Sequence, residues 1–282
     1  MVDLCKLART RSEATWDTLR RARYAHLRIG EETLTELNLV ELVLGGGGQI
    51  RIFPFTKRAE AHTGADWEWW VRGLSGAWVG MRVQAKALDP GTDAYDHLWY
   101  ARAGVLQIDR LIKAALAGPV PRFPLYMLYN NWDPATRKVP WSCGGRRYWG
   151  ARAMGCAVAA ATALRPLQKR KDGNRAVHVL ELSTPFHCLF CAPTSPGTDL
   201  AEAVSNRLRG LARHVLLKPP AILFHTLDGP PIEEWIEAAA GISTTLAPPW
   251  YVLNPPAGDM ADTPDDLAGV VVLAEQDTVL TG

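Results

Sequence analysis

The chain has 282 residues, of which 48% are hydrophobic and 21% are charged, as is typical of a globular protein with a sizeable core. Its 31 Lys and Arg residues nearly balance its 29 Asp and Glu residues, so the net charge of +2 neither indicates nor excludes a nucleic-acid partner. The longest apolar runs, 156–164 and 269–274, are shorter than the roughly 18 residues that span a bilayer, which excludes them as membrane helices. Five scattered cysteines favour reduced thiols. These features predict a cytoplasmic protein with no membrane partner.

Two helices are predicted at the start of the chain. The first covers 12–27, where Ser12 is a candidate N-cap and apolar residues recur at helical spacing among arginines. The second covers 30–44, and the four glycines at 45–48 end it because glycine disfavours the continuation of a helix.

Three strands are predicted next, at 49–55, 66–72 and 78–88. The last two are joined by a Gly-Leu-Ser-Gly turn at 73–76. A helix at 103–117 and a buried strand at 123–129 complete an α-β-β-β-α-β order. This order predicts an α/β fold in which helices flank a mixed sheet.

The composition changes after residue 130, where proline and glycine become frequent. The elements predicted there are a small-residue helix at 150–164, a strand at 176–182, a polar helix at 198–214 and a proline-rich tail. We therefore divide the chain into a core at 12–130 and a C-terminal α+β extension at 131–282. The extension is expected either to pack on the core or to form a small second domain.

A group of polar residues on two neighbouring predicted strands forms the most informative motif. Asp66 opens one strand, and Gln84 and Lys86 lie on the next, with 17 residues between Asp66 and Gln84. Because side chains two positions apart point to the same face of a strand, Gln84 and Lys86 are expected to lie together. An acidic residue followed one hairpin later by Gln-x-Lys resembles the PD-(D/E)xK nuclease superfamily, especially its Mrr-like restriction enzymes. Ala65 stands where proline is usual in that family.

The resemblance implies a restriction-endonuclease-like αβββαβ core, which agrees with the predicted order of elements. Hydrolysis of a phosphodiester needs Mg²⁺ or Mn²⁺ held by oxygen ligands, together with positive charge at the phosphate. Asp66 would supply the main carboxylate ligand and Gln84 an amide oxygen. The ammonium group of Lys86 would lie at the attacking water or the scissile phosphate.

A further acid is expected in the metal shell, because Gln84 provides no negative charge. The second helix carries Glu31, Glu32 and Glu36, and in the resembling family a glutamate of the first core helix points into the site. We favour Glu32 as this metal ligand and catalytic residue, with Glu36 as the second choice.

Two other polar residues are candidates for the same site. Glu68 lies two residues after Asp66 and would face the same side as a ligand or a water-orienting base. Gln107 lies in the helix after the catalytic strands, where relatives of this kind often place a polar residue near the metal. Gln107 is equally an ordinary helix-forming residue.

Basic and aromatic residues surround the motif. Lys57, Arg58 and Arg82 are candidate contacts to a nucleic-acid backbone. Four tryptophans, at positions 67, 69, 70 and 78, are interpreted as core packing, with base stacking as the alternative.

The cysteines form a second candidate site. Cys188 and Cys191 have the C-x-x-C spacing of zinc knuckles, His187 precedes them, and Cys143 and Cys156 lie upstream. Their apolar surroundings favour buried free thiols over structural zinc.

The sequence therefore predicts a Mg²⁺-dependent endonuclease that hydrolyses phosphodiesters, with DNA as the expected substrate and restriction or anti-phage defence as the expected setting. A homodimer or a larger defence complex is the expected assembly. The alternative is a catalytically inactive module derived from a nuclease, which holds nucleic acid or a protein without cutting it.

Overall fold

A computed structural model describes residues 2–54, 67–143, 146–191, 199–217, 232–254 and 267–275 of the chain. The helices are α1 (Leu4–Tyr24), α2 (Glu31–Gly45), α3 (Gln107–Leu116), α4 (Ala161–Leu164), α5 (Ala176–Glu181), α6 (Leu200–Leu217), α7 (Ile232–Ala240) and α8 (Trp250–Leu253). Short 3₁₀ segments lie at Ala151–Gly155, Arg165–Lys169 and Phe186–Leu189. No helix in these ranges is long and apolar enough to cross a membrane.

The strands are β1 (Ile50–Pro54), β2 (Trp67–Arg72), β3 (Trp78–Ala87), β4 (Ala101–Arg102), β5 (Val105–Leu106), β6 (Phe123–Tyr129), β7 (Trp141–Cys143), β8 (Arg146–Tyr148), β9 (Cys156–Ala160), β10 (Thr184–Pro185) and β11 (Gly269–Ala274). Seven of them form one sheet in the order β1-β11-β2-β3-β6-β9-β10. The pairs β11–β2 and β3–β6 are parallel and the other pairs are antiparallel. The fold is therefore α/β with a mixed central sheet.

Residues on both sides of position 130 belong to this sheet. β9, β10 and β11 extend the sheet that β2, β3 and β6 begin, and β11 lies between β1 and β2. One hydrophobic core runs from Leu4 to Leu273 and takes side chains from both parts of the chain. The C-terminal strand therefore lies inside the sheet, one strand from its β1 edge.

Most elements predicted before residue 130 are confirmed, with shifted ends. α1 begins at Leu4 because Asp3 is its N-cap and accepts a hydrogen bond from the Lys6 amide, 3.0 Å away. Ser12 is instead buried inside α1, where its hydroxyl donates to the carbonyl of Ala8 at 2.9 Å. α3 begins only at Gln107, because the preceding residues form the β4–β5 hairpin.

Two predictions after residue 130 are wrong. Residues 150–164, predicted as one helix, instead form a 3₁₀ segment, the strand β9 and the single-turn helix α4. The alanine-rich sequence of β9 predicts a helix, but β9 pairs with β6 and β10 and is buried throughout. The expected strand at 176–182 is α5, in which the buried residues Ala176, Val179 and Leu180 follow helical spacing. The helix predicted at 198–214 is confirmed as α6.

Gly155 allows α1 to approach the 3₁₀ segment Ala151–Gly155 closely. A Cβ atom at this position would lie 2.0 Å from the carbonyl oxygen of Ser12 and 2.8 Å from the amide nitrogen of Trp16. Both are backbone atoms of α1, so a side-chain rotation cannot remove the clash. The contact between α1 and the sheet therefore depends on glycine here.

We expect Gly155→Ala to destabilise the protein by about 1–3 kcal/mol, because α1 would have to move away. Gly150→Ala is the matched control, since a Cβ atom there meets nothing within 4 Å. That control should change the free energy of unfolding by less than about 0.5 kcal/mol. Urea denaturation followed by circular dichroism measures both, and equal midpoints for the two variants would contradict the packing described.

Candidate active site

Four polar side chains from three elements meet at one point beside the central sheet. Gln84 and Lys86 lie on β3, Gln107 is the first residue of α3, and Glu31 is the first residue of α2. We refer to these four residues as the Lys86 cluster. The Lys86 ammonium donates to Oε1 of Gln107 at 3.0 Å and lies 4.0 Å from Oε1 of Glu31. Nε2 of Gln107 donates to Oε1 of Gln84 at 2.8 Å.

The backbone explains why these side chains meet. Alternation along β3 places Gln84 and Lys86 on one face, while Val83 and Ala85 lie on the other. The chain then crosses through α3, which packs against β3 and β6, before it returns as β6 parallel to β3. The crossover brings the N-terminus of α3, and with it Gln107, beside the polar face of β3.

The cluster is largely withdrawn from water. Gln84 and Lys86 are 4% and 6% exposed, respectively. The side chain of Glu31 keeps 33% of its exposure. Burying a charged ammonium is costly unless oxygen atoms surround it, and Glu31 and Gln107 supply two of them.

A cavity of about 630 Å³ opens directly above Lys86 and Glu31. It lies between the C-terminal end of α1, the N-terminus of α2 and the segment after β3. Its charged or titratable lining residues are Arg23, His26, Arg28, Glu31, Lys86, Asp89, Asp96 and His97. Arg28 is 82% exposed and forms ion pairs with Asp89 and Asp96. The cavity therefore combines a buried ammonium with carboxylates and an exposed basic rim.

The model of one protein family, a family of unknown function (DUF6615), matches residues 4–277. The chain belongs to DUF6615. The matched residues cover nearly the whole chain, including the Lys86 cluster and the C-terminal strand β11. Neither a curated protein nor a solved structure matches this DUF6615 chain.

The structure places Glu31, and not the favoured Glu32, beside Lys86. Glu32 and Glu36 are exposed, whereas the carboxylate of Glu31 lies beside Lys86. α2 begins at Glu31, and one residue along a helix turns the side chain by about 100°. Glu31 therefore replaces Glu32 in the site that we propose. The feature of the sequence that could identify Glu31 is its position directly after Gly30, at the start of the helix.

Three predicted residues lie outside the described residues, namely Asp66, Lys57 and Arg58. Asp66 is the residue before Trp67 in the chain, and Trp67 pairs with Val83 across the β2–β3 hairpin. Of the four tryptophans predicted as core residues, those at positions 69, 70 and 78 are buried, and Trp67 is partly buried against the core. This burial agrees with packing, and it makes the three buried rings inaccessible for base stacking.

Arg82 and Glu68 belong to a second polar group. The carboxylate of Glu68 is completely buried and lies 3.1 Å from Nε of Arg82 and 3.6 Å from Nε of Arg122. It also accepts from the Trp70 indole at 2.8 Å and from the Tyr251 hydroxyl at 2.7 Å. We refer to these five residues as the Glu68 cluster.

Two predictions change because of the Glu68 cluster. Arg82 is only 5% exposed and paired with Glu68, so its predicted contact with nucleic acid is corrected to a structural role. Glu68, predicted as an additional ligand or base, is enclosed by internal donors. Burial raises the pKa of Tyr251, and the adjacent Glu68 carboxylate raises it further, so this tyrosine remains a neutral donor.

The prediction of five reduced thiols is also corrected. Cys5 of α1 and Cys191 form a disulfide across 186 residues of sequence. Cys143, Cys156 and Cys188 are free. Burial raises the pKa of Cys156 to about 11, which keeps this thiol protonated and unreactive.

Tyr251 should contribute measurably to stability, because its hydroxyl is one of the donors to the buried Glu68 carboxylate. We expect Tyr251→Phe to lower the free energy of unfolding by about 1.5–3 kcal/mol, the usual range for a hydrogen bond to a charged group. Tyr24→Phe is the control, since Tyr24 is 91% exposed. Chemical denaturation of both variants tests this, and a Tyr251→Phe midpoint equal to that of Tyr24→Phe would contradict it.

Proposed function

We propose that the Lys86 cluster is the active site of a metal-dependent nuclease that hydrolyses phosphodiesters of DNA. The observation that carries this proposal is the meeting of Glu31 of α2 with Gln84 and Lys86 of β3, next to a cavity of about 630 Å³ that Glu31 and Lys86 help to line. A carboxylate, an amide oxygen and an ammonium in one place suit phosphate chemistry better than they suit packing.

The donor set fits Mg²⁺ or Mn²⁺. Both ions prefer hard oxygen ligands, and the carboxylate of Glu31 and the amide oxygen of Gln84 are of this kind. Asp66 remains the proposed main ligand on the basis of its sequence position, one residue before β2. When bound, the ion would polarise the phosphodiester and lower the pKa of a water molecule.

The remaining residues have distinct parts in this proposal. The Lys86 ammonium neutralises negative charge on the phosphate oxygens during attack by water. Gln107 is a positioning residue, because its amide holds Lys86 through Oε1 and Gln84 through Nε2. A fixed ammonium loses less entropy on binding substrate than a freely rotating one.

The rim of the cavity supports a polyanionic substrate. Arg23 and Arg28 are exposed there, and His26 and His97 lie beside them. Exposed basic groups attract a phosphate backbone regardless of sequence. Two acidic residues of the lining, Asp89 and Asp96, form ion pairs with Arg28, which offsets part of their negative charge.

The order of elements adds support for a restriction-endonuclease-like core. Apart from the two-residue strands β4 and β5, the run α2-β1-β2-β3-α3-β6 has the predicted αβββαβ order, and β3 and β6 are parallel with α3 between them. The sheet differs from a simple αβββαβ core because β11, from the end of the chain, lies between β1 and β2. The proposed site lies on β3 and α3, away from that insertion.

Cleavage of supercoiled plasmid DNA tests the proposal. We expect nicking or linearisation with Mg²⁺ or Mn²⁺ and none with EDTA. Glu31→Gln, Lys86→Met and Asp66→Asn should each lower the rate by about 10²- to 10³-fold. The two carboxylate substitutions weaken binding of the metal ion, and Lys86→Met removes the positive charge at the reacting phosphate. Glu32→Gln is the matched control and should keep the wild-type rate, since Glu32 is exposed.

Two results would count against this function. Cleavage that persists in Lys86→Met would place the chemistry elsewhere. DNA binding by the wild-type protein, without cleavage in either metal, would instead favour the non-cutting module. Circular dichroism of each variant shows whether a loss of activity comes from the site or from unfolding.

A further inference from the structure

A second group of metal-binding side chains lies outside the Lys86 cluster. Cys143 of β7 meets His187 and Cys188 of the 3₁₀ segment Phe186–Leu189, and their ligand atoms all lie within 4.8 Å of one another. Among the described residues, it is the one group of three or more His, Cys, Asp or Glu side chains this close together. It shares no residue with the cavity above Lys86.

The spacing suits tetrahedral zinc. Zinc binds sulfur at about 2.3 Å and imidazole nitrogen at about 2.0–2.1 Å, so neighbouring S and N ligand atoms lie roughly 3.5 Å apart around it. In the structure, Sγ of Cys188 is 3.7 Å from Nε2 of His187. The group would need only small movements to accept the ion.

The environment of His187 points to a ligand. This residue is only 2% exposed, and its buried Nδ1 atom has no hydrogen-bond partner among the described residues. Its ring packs edge-on against Trp141 at 5.2 Å between ring centroids, and Nε2 faces the Cys188 sulfur. A buried imidazole is normally held by hydrogen bonds to oxygen. Here the polar contact of the ring is directed at a sulfur, as expected for a metal ligand.

The backbone around these ligands is held in place by Arg207 of α6. Its guanidinium donates to the carbonyl of Leu189 at 2.8 Å and also to the carbonyl of Cys191. Such contacts behind the ligands fix their orientation in metal sites. Arg207, Cys143 and Cys188 also line a cavity of about 210 Å³. The sulfurs are therefore accessible to a solvent ligand.

We propose that Cys143, His187 and Cys188 bind one zinc ion, with a fourth ligand from the adjacent cavity. Cys191 has the C-x-x-C spacing to Cys188, but its sulfur is bonded to Cys5. Two thiolates balance the charge of Zn²⁺, and the imidazole adds none. Each thiol releases its proton to solvent as its S–Zn bond forms, and no atom changes oxidation state.

The ion would join the β7–β8 hairpin to the segment that carries His187 and Cys188. The neighbouring disulfide joins the end of that segment to α1. The zinc site would thus stabilise a part of the fold distant in sequence from the nuclease motif. It does not depend on the proposed nuclease activity.

Metal analysis of the full-length protein, purified without chelators, tests the proposal. We expect about one zinc ion per wild-type chain, because the three ligands form a single site. Cys143→Ser, Cys188→Ser and His187→Asn should lose it. Cys156→Ser is the matched control and should retain it, because Cys156 contacts Thr15 of α1 instead of this group.

Binding of cobalt to the wild-type protein tests the same site without any variant, so a variant that fails to fold cannot affect the result. Zinc-depleted wild-type protein should gain thiolate-to-cobalt charge-transfer bands on titration with Co²⁺, and added zinc should remove them. A folded wild-type protein that binds neither ion would overturn the proposal. So would a Cys143–Cys188 disulfide in peptide maps of freshly purified protein, or zinc retained at wild-type level in all three ligand variants.

Discussion

Strand β3 places Arg82, Gln84 and Lys86 on one buried face of the central sheet, and the surrounding structure is arranged to provide partners for them. A buried charge or amide without a partner costs several kcal/mol, a large part of the stability of a domain. Glu68 provides the partner for Arg82, and Gln107 provides it for both Gln84 and Lys86. The positions of β2 and α3 are therefore constrained by charge and hydrogen bonding as well as by apolar packing.

The end of the chain takes part in the same constraint. β11 lies between β1 and β2, and Tyr251 in α8 donates to the Glu68 carboxylate. Neither contact can form until residues about 180–200 positions away from β2 in the sequence have reached it. Contacts of this kind, made late and between distant residues, are slow to form and favour cooperative folding of the whole sheet. The family match over 4–277 agrees with a single unit that includes both ends.

Local patterns in the sequence predicted what local interactions determine. The alternation of β3, the glycines that end α2 and the order α-β-β-β-α-β could all be read from neighbouring residues. β9 could not, since its alanines favour a helix and only pairing with β6 and β10 makes them a strand. The Cys5–Cys191 pair joins residues too far apart for spacing to reveal. The second helix carries three glutamates, and which of them lies beside Lys86 depends on where α2 starts. Helix boundaries are the feature that sequence patterns predict least well.

The Glu68 cluster and the Lys86 cluster share a face of the sheet but differ in their access to solvent. This difference distinguishes a group that stabilises the fold from one that a ligand could reach. The Glu68 carboxylate is enclosed, and donors from Arg82, Trp70 and Tyr251 occupy its two oxygens. Lys86 is also buried, with 6% exposure, yet it lines an open cavity. A buried lysine that served stability alone could be replaced by an apolar side chain at little cost or with a gain. A buried ammonium placed where a ligand can approach it, like that of Lys86, is the arrangement expected of a site that binds an anion.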